Sequence, residues 1–132
     1  MRYEAQIGSL EETYPPKLRF SNCLFVSEDL ALRVLQSHPG CSVTTARTKQ
    51  TGAGKAIRET NHCVAIIKET DGKIIALDAT RPTYESEPEE DYWRFTADTE
   101  AELLLALSRH YGGDWSIDED KWLHEVPDWY TN

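Results

Sequence analysis

Two short apolar runs separated by a glycine-containing turn form the clearest hydrophobic pattern in the chain. The first run covers residues 61–67 (Asn-His-Cys-Val-Ala-Ile-Ile), and the second covers residues 73–78 (Lys-Ile-Ile-Ala-Leu-Asp). Runs of this length, rich in β-branched residues and bounded by turn residues, predict buried strands. The turn between them is Thr70-Asp71-Gly72, in which Gly72 suits the left-handed position of a three-residue loop. We therefore predict an antiparallel hairpin.

The length of this loop decides whether His62 and Asp78 lie on the same face of the hairpin. A three-residue loop places His62 opposite Thr80 and Asp78 opposite Val64, so that His62 and Asp78 become diagonal neighbours on one face. A two-residue Asp-Gly turn would shift the register by one residue and separate them onto opposite faces. An interaction between His62 and Asp78 thus requires the three-residue loop.

A helix is predicted before the hairpin, over residues 23–37, where apolar residues recur at helical spacing. Two residues could cap its N-terminus. With Asn22 as the cap, Cys23 lies in the first turn, where the helix dipole favours a thiolate. With Ser27 as the cap, residues 18–26 form a strand and Cys23 is an ordinary strand residue. We favour Asn22.

The rest of the chain predicts shorter elements. A capping box formed by Thr99 and Glu102 begins a second helix, which extends to residue 111. The remaining segments are a mixed stretch at 1–20 with a turn at Pro15-Pro16, a strand at 41–46, a loop at 47–60, an acidic loop at 85–91 and a short strand at 92–95. These elements predict an α+β fold in which a helix packs on a small, mainly antiparallel sheet.

The length of 132 residues fits a single domain spanning 1–132. Within it we distinguish a core at 20–80 from a C-terminal helix and tryptophan-bearing tail at 96–132. The three cysteines show no CxxC spacing, so we expect reduced thiols in a cytoplasmic protein. The N-terminus lacks the apolar segment of a secretory signal, and delivery by a signal-independent route is the alternative.

The charge narrows the classes of partner. With 14 basic and 23 acidic residues the net charge is −9, which argues against binding to nucleic acid or to an anionic membrane. It suits a basic protein substrate or partner. The sequence gives no indication of the oligomeric state.

We expect no metal and no cofactor, because no pair of histidines or cysteines has zinc-ligand spacing. Residues 114–125 place oxygen ligands at several calcium-loop positions, but Glu119 stands where such a loop requires glycine. We predict a solvated acidic turn there.

Three residues carry the candidate chemistry: Cys23, His62 and Asp78 follow one another as nucleophile, base and orienting carboxylate. A cysteine activated by an imidazole that a carboxylate holds is the general arrangement of covalent amide chemistry. Asn22 is a candidate oxyanion donor. Asn61 and Thr80 are candidate secondary polar contacts. The alternative is that Cys23 is a core residue, His62 is structural and Asp78 ends a strand.

The order and context of these residues resemble the transglutaminase-like and papain-like cysteine hydrolase superfamily. The similarity rests on Cys23 before a helix, the Asn61-His62 pair, and Asp78-Ala79-Thr80 at the end of the next strand. The same short pattern also resembles that of papain-fold bacterial effectors that deamidate glutamine. The resemblance implies a papain-like core and a thiol-dependent glutamine deamidase, peptidase or transglutaminase.

Two departures from that pattern leave a different class of function open. Papain-type proteases have a glutamine shortly before the cysteine, where this chain has Pro-Lys-Leu-Arg at 16–19, and Val64 stands where transglutaminases have an aromatic residue. Together with the acidity, they favour the alternative of a non-catalytic binding, adaptor or immunity protein on the same fold. A third possibility is an α+β interaction domain in which the three residues never meet.

Overall fold

A computed structural model describes residues 3–15, 22–49, 62–79 and 93–130. Asn61, Thr80 and the predicted acidic loop at 85–91 lie outside the described residues, as does most of the predicted loop at 47–60. The described elements are helices α1 (Glu4–Thr13), α2 (Cys23–Ser37) and α3 (Glu100–Tyr111), strands β1 (Ser42–Lys49), β2 (Cys63–Lys68), β3 (Ile74–Asp78), β4 (Trp93–Ala97) and β5 (Asp114–Ile117), and a 3₁₀ turn (Glu119–Lys121).

The five strands form one sheet in the order β4-β3-β2-β1-β5, and each neighbouring pair is antiparallel. Helices α1 and α2 pack on one face of the sheet, and α3 packs on the other. The predicted α+β class and the antiparallel sheet are confirmed. The papain-like core stays a prediction.

The hairpin of β2 and β3 has the three-residue loop. Ala65 pairs with Leu77 and Lys68 pairs with Ile74, which is the register that the longer loop requires. The loop is closed by a hydrogen bond of 2.8 Å from the Glu69 N–H to the Lys73 carbonyl. Gly72 has a φ of 93°, a left-handed conformation that favours glycine.

Both faces of the hairpin are buried, which explains why its strands are continuous apolar runs and not alternating ones. Odd-numbered residues of β2, such as Ala65 and Ile67, belong to the core beneath α1 and α2. Even-numbered residues, such as Val64 and Ile66, belong to the core beneath α3. The alternation of successive side chains thus assigns each residue of the hairpin to one of two cores.

Helix α2 begins at Cys23, with Asn22 in the N-cap position. The alternative with Ser27 as cap is therefore wrong: Ser27 is buried inside the helix and donates a hydrogen bond of 3.0 Å to the Cys63 carbonyl. The first helical hydrogen bond, 2.8 Å long, runs from the Val26 N–H to the Asn22 carbonyl.

Three sequence-based assignments need correction. Residues 4–13 form α1, which contributes Ile7 and Leu10 to the core, although that stretch was not predicted to be helical. Strand β1 continues to residue 49, beyond the predicted end at 46, because it pairs with β5 over its last four residues. The predicted acidic turn at 114–125 begins with β5, whose Trp115 and Ile117 are buried while Asp114 and Ser116 are exposed.

Candidate active site

The three candidate catalytic residues lie where three elements begin or end. Cys23 is the first residue of α2, His62 directly precedes β2, and Asp78 is the last residue of β3. The antiparallel register of β2 and β3 brings the start of one strand beside the end of the other. Helix α2 packs across β2, and its N-terminus reaches the same end of the sheet.

His62 and Asp78 form a buried pair. The distance between His62 Nε2 and Asp78 Oδ2 is 2.9 Å, and neither side chain is exposed to solvent. His62 and Asp78 are the diagonal neighbours that the three-residue loop places on one face of the hairpin. A buried carboxylate bonded to one ring nitrogen fixes the tautomer and the orientation of an imidazole.

Tyr111 is a further member of this cluster. Its hydroxyl donates a hydrogen bond to Oδ2 of Asp78, the oxygen that His62 also contacts. The rings of Tyr111 and His62 are 4.8 Å apart between centroids, and Trp115 packs edge-on against His62 at 5.9 Å. Burial of Asp78 is therefore compensated by two donors and an aromatic enclosure.

Tyr111 is not among the site residues that the sequence predicts. A signal for its position exists, because Leu103, Leu107 and Tyr111 repeat at intervals of four and form the buried face of α3. That spacing indicates a core-facing tyrosine, but it does not indicate Asp78 as the partner of the hydroxyl.

Cys23 completes the chain of contacts, because its side chain hydrogen-bonds to the His62 ring. Since Nε2 bonds to Asp78, Nδ1 is the nitrogen left to exchange a proton with sulfur. Burial lowers the pKa of His62, but the charge and hydrogen bond of Asp78, together with Cys23, outweigh it and raise that pKa to about 9. Cys23 is itself partly exposed, so solutes can reach the sulfur.

The other two cysteines are core residues. Cys41 and Cys63 are both buried. Burial and the nearby Cys23 raise the pKa of the Cys63 thiol to about 12, which makes it a poor nucleophile at neutral pH. Cys63 follows His62 in the chain and points to the opposite face of the sheet.

Of the predicted secondary residues, only Asn22 lies within the described part of the chain. Its side chain makes no capping hydrogen bond to α2. Its proposed role as an oxyanion donor stays a prediction, as do the roles of Asn61 and Thr80.

Among the described residues, no group of three or more His, Cys, Asp or Glu side chains is arranged to hold a metal ion. None of the described helices is long and apolar enough to cross a membrane.

Comparison with protein-family models, curated proteins and solved structures finds no match for this chain. Its function must therefore be inferred from its own residues.

Proposed function

We propose that the chain is a thiol-dependent enzyme that acts on amides, with Cys23 as nucleophile, His62 as general base and acid, and Asp78 as the orienting carboxylate. One observation carries the proposal: a partly exposed cysteine hydrogen-bonds to a histidine that is itself held by a buried carboxylate. A structural histidine needs no accessible thiol as a partner, whereas a nucleophile needs both access and a base.

The reaction follows from these contacts. With the proton held on His62, whose pKa is raised to about 9, the Cys23 sulfur attacks the amide carbon to form a tetrahedral adduct. His62 then delivers that proton to the departing nitrogen, and the C–N bond breaks to leave a thioester on Cys23. Water activated by His62 next attacks the thioester, releasing a carboxylic acid and regenerating the thiol. Attack by a primary amine would instead give a new amide.

The start of α2 offers donors for the oxyanion of the tetrahedral adduct. The first N–H groups of a helix have no acceptor within the helix, and in α2 the ladder begins only at the Val26 N–H. The N–H groups of Leu24 and Phe25 lie ahead of that bond, in the turn that carries Cys23. Backbone donors in this position stabilise negative charge that develops beside the nucleophile.

The substrate that fits best is a carboxamide presented by another protein, with a glutamine side chain as the leading case. Cys23 lies at the surface end of a helix, where a projecting side chain can reach it. The net charge of −9 favours a basic substrate protein, since complementary charge accelerates encounter. Release of ammonia would make the enzyme a deamidase, and transfer to an amine would make it a transglutaminase.

Turnover of glutamine-containing basic peptides tests this proposal. Mass spectrometry detects conversion of the amide to the acid, and an added fluorescent primary amine reports transamidation. We expect turnover by the wild type, loss of it in Cys23→Ala and His62→Ala, and retention in the matched variant Cys41→Ala. Turnover that survives Cys23→Ala would contradict the role of Cys23 as nucleophile. A wild type that shows no turnover and whose Cys23 is also unreactive would favour the non-catalytic binding protein.

A further inference from the structure

An apolar groove runs along the outer side of α2, next to the candidate active site. It consists of two hollows, of about 360 Å³ and about 270 Å³, that share Glu28, Leu32 and Trp129 as lining residues. The larger hollow is completed by β1 and the segment after β5, and the smaller by the end of α1 and the tail. We call this feature the α2 groove.

The exposed large apolar side chains concentrate at this groove. Among the described residues five such side chains are exposed, and three of them line the groove: Phe25, Leu123 and Trp129. A fourth, Leu24, lies beside Phe25 in the first turn of α2. Phe25 is 62% exposed and Trp129 is 71% exposed. Contiguous exposed apolar surface of this kind marks interaction sites, and tryptophan is enriched among the residues that dominate binding energy.

The tail that carries Trp129 is anchored on both sides. Leu123 pairs with Val43 through two backbone hydrogen bonds of 2.9 and 2.8 Å. The Tyr130 hydroxyl donates a hydrogen bond of 2.5 Å to Asp29 Oδ1 of α2. Trp129 is therefore held in an exposed position by its neighbours, which is the preorganisation that a binding residue requires.

The groove is connected to the candidate nucleophile. Phe25 follows Cys23 by two residues in the same helix. Phe25 lines the smaller hollow, so this end of the groove lies within one helical turn of Cys23.

We propose that the α2 groove binds an extended segment of the substrate protein in which apolar side chains are flanked by lysine or arginine. The apolar side chains would fill the two hollows on either side of Trp129. The basic residues would face exposed Glu28 and the negative field of a chain with net charge −9. Lys121 also lines the larger hollow, and its positive charge disfavours a basic residue there, so that position suits an apolar side chain. This inference rests on the proposed function, which supplies the substrate.

Peptide binding to the catalytically silent Cys23→Ala variant tests the inference without requiring turnover. The probe is a fluorescein-labelled peptide of lysine, arginine, leucine and phenylalanine around one glutamine, and its control has glutamate at every basic position. In fluorescence anisotropy we expect the basic peptide to bind about tenfold more tightly than the acidic one, and less tightly as salt increases.

The added substitutions locate the binding site. Trp129→Ala and Phe25→Ala should each weaken binding about tenfold, since both remove exposed aromatic contacts. Glu28→Lys should lower the affinity for the basic peptide and raise the affinity for the acidic one. Leu105→Ala is the matched control, because Leu105 is 50% exposed on α3 on the other side of the sheet, and it should leave the affinity unchanged.

The possible outcomes separate this inference from the proposed function. Basic-peptide binding that depends on Trp129 supports the groove, even if Cys23 proves unreactive. Equal affinity for both peptides, or equal losses in Trp129→Ala and Leu105→Ala, would overturn it, even if Cys23 proves reactive. Self-association that Trp129→Ala abolishes, without peptide binding, would overturn it in favour of a second copy of the chain.

Discussion

Tyr111 and His62 contact the same carboxylate oxygen of Asp78. One donor comes from α3 and the other from the start of β2, so the C-terminal helix takes part in holding the candidate base. Asp78 is fully buried, and its charge is stabilised by these neighbours and not by solvent. Tyr111 is therefore a positioning residue that acts on His62 through Asp78.

Replacement of Tyr111 by Phe should raise the pKa of His62. The carboxylate loses a donor, so its charge is less dispersed and stabilises the imidazolium more strongly. The free energy of unfolding should fall by about 1.5–3 kcal/mol, the range for a hydrogen bond to a charged group. NMR titration of the His62 ring and urea denaturation measure the two effects.

Tyr14→Phe is the matched control, because Tyr14 also donates to a carboxylate, that of Asp29, at 2.6 Å. It should reduce stability without changing the His62 titration. A titration of His62 that is the same in wild type and Tyr111→Phe would contradict the positioning role.

The stability of the protein should decline as the pH rises through the pKa of His62. Although burial opposes it, the charge of Asp78 raises this pKa from 6.5 to about 9, so the folded state binds the His62 proton more tightly than the unfolded state does. This contribution is fully present below pH 6.5 and is lost by about pH 9, and a shift of this size corresponds to about 3 kcal/mol.

Urea denaturation of the wild type at several pH values between these limits, compared with His62→Gln, checks this prediction. The difference in unfolding free energy between the two proteins should shrink as the pH rises. A difference that stays constant, or grows, would show that His62 is not preferentially protonated in the folded state.

The same substitution should have opposite effects at two glycines. Gly72→Ala should cost about 1–2 kcal/mol, because φ at Gly72 is 93° and an L-residue is strained there. Gly8→Ala should stabilise by about 0.5–1 kcal/mol, because Gly8 lies inside α1. An added Cβ meets nothing within 4 Å at either position, so backbone conformation alone separates them. Thermal denaturation of both variants tests this, and equal shifts would contradict it.

Asp29 should be a major contributor to stability away from the site. Its carboxylate accepts hydrogen bonds from Tyr14 at 2.6 Å, Arg33 at 3.0 Å and Tyr130, and so joins α1, α2 and the tail. Asp29→Asn removes the charge and part of the acceptor capacity, and should cost about 1–3 kcal/mol. Glu12→Gln, at an exposed position of α1, should change stability by less than about 0.5 kcal/mol. Similar losses in the two variants would refute this role.

The fold of the hairpin could be predicted because local chemistry specifies it. Gly72 fixes the loop, the loop fixes the register, and the register places His62 and Asp78 on one face. The prediction that Asn22 and not Ser27 caps α2 is confirmed. The reason is local, because the apolar spacing of residues 23–37 begins before Ser27.

The remaining elements depend on contacts that local patterns do not carry. Helix α1 has Gly8 and Ser9 in its middle and a weak apolar face, so packing of Ile7 and Leu10 against α2 stabilises it more than propensity does. Buried and exposed residues alternate along β5, with Trp115 and Ile117 buried. The acidic residues around it favoured the interpretation of this segment as a solvated turn. The bond from Tyr111 to Asp78 joins residues 33 positions apart.

The activation of Cys23 by His62 can be measured as the rate of iodoacetamide labelling at Cys23 as a function of pH, in wild type and in His62→Ala. Peptide mass spectrometry resolves the three cysteines, so buried Cys41 and Cys63 serve as internal controls. We expect rapid labelling of Cys23 near pH 6, where an ordinary thiol with a pKa of about 8.5 is slow, and at least a tenfold loss of rate in His62→Ala. Slow labelling with an ordinary thiol profile that the mutation leaves unchanged would contradict it.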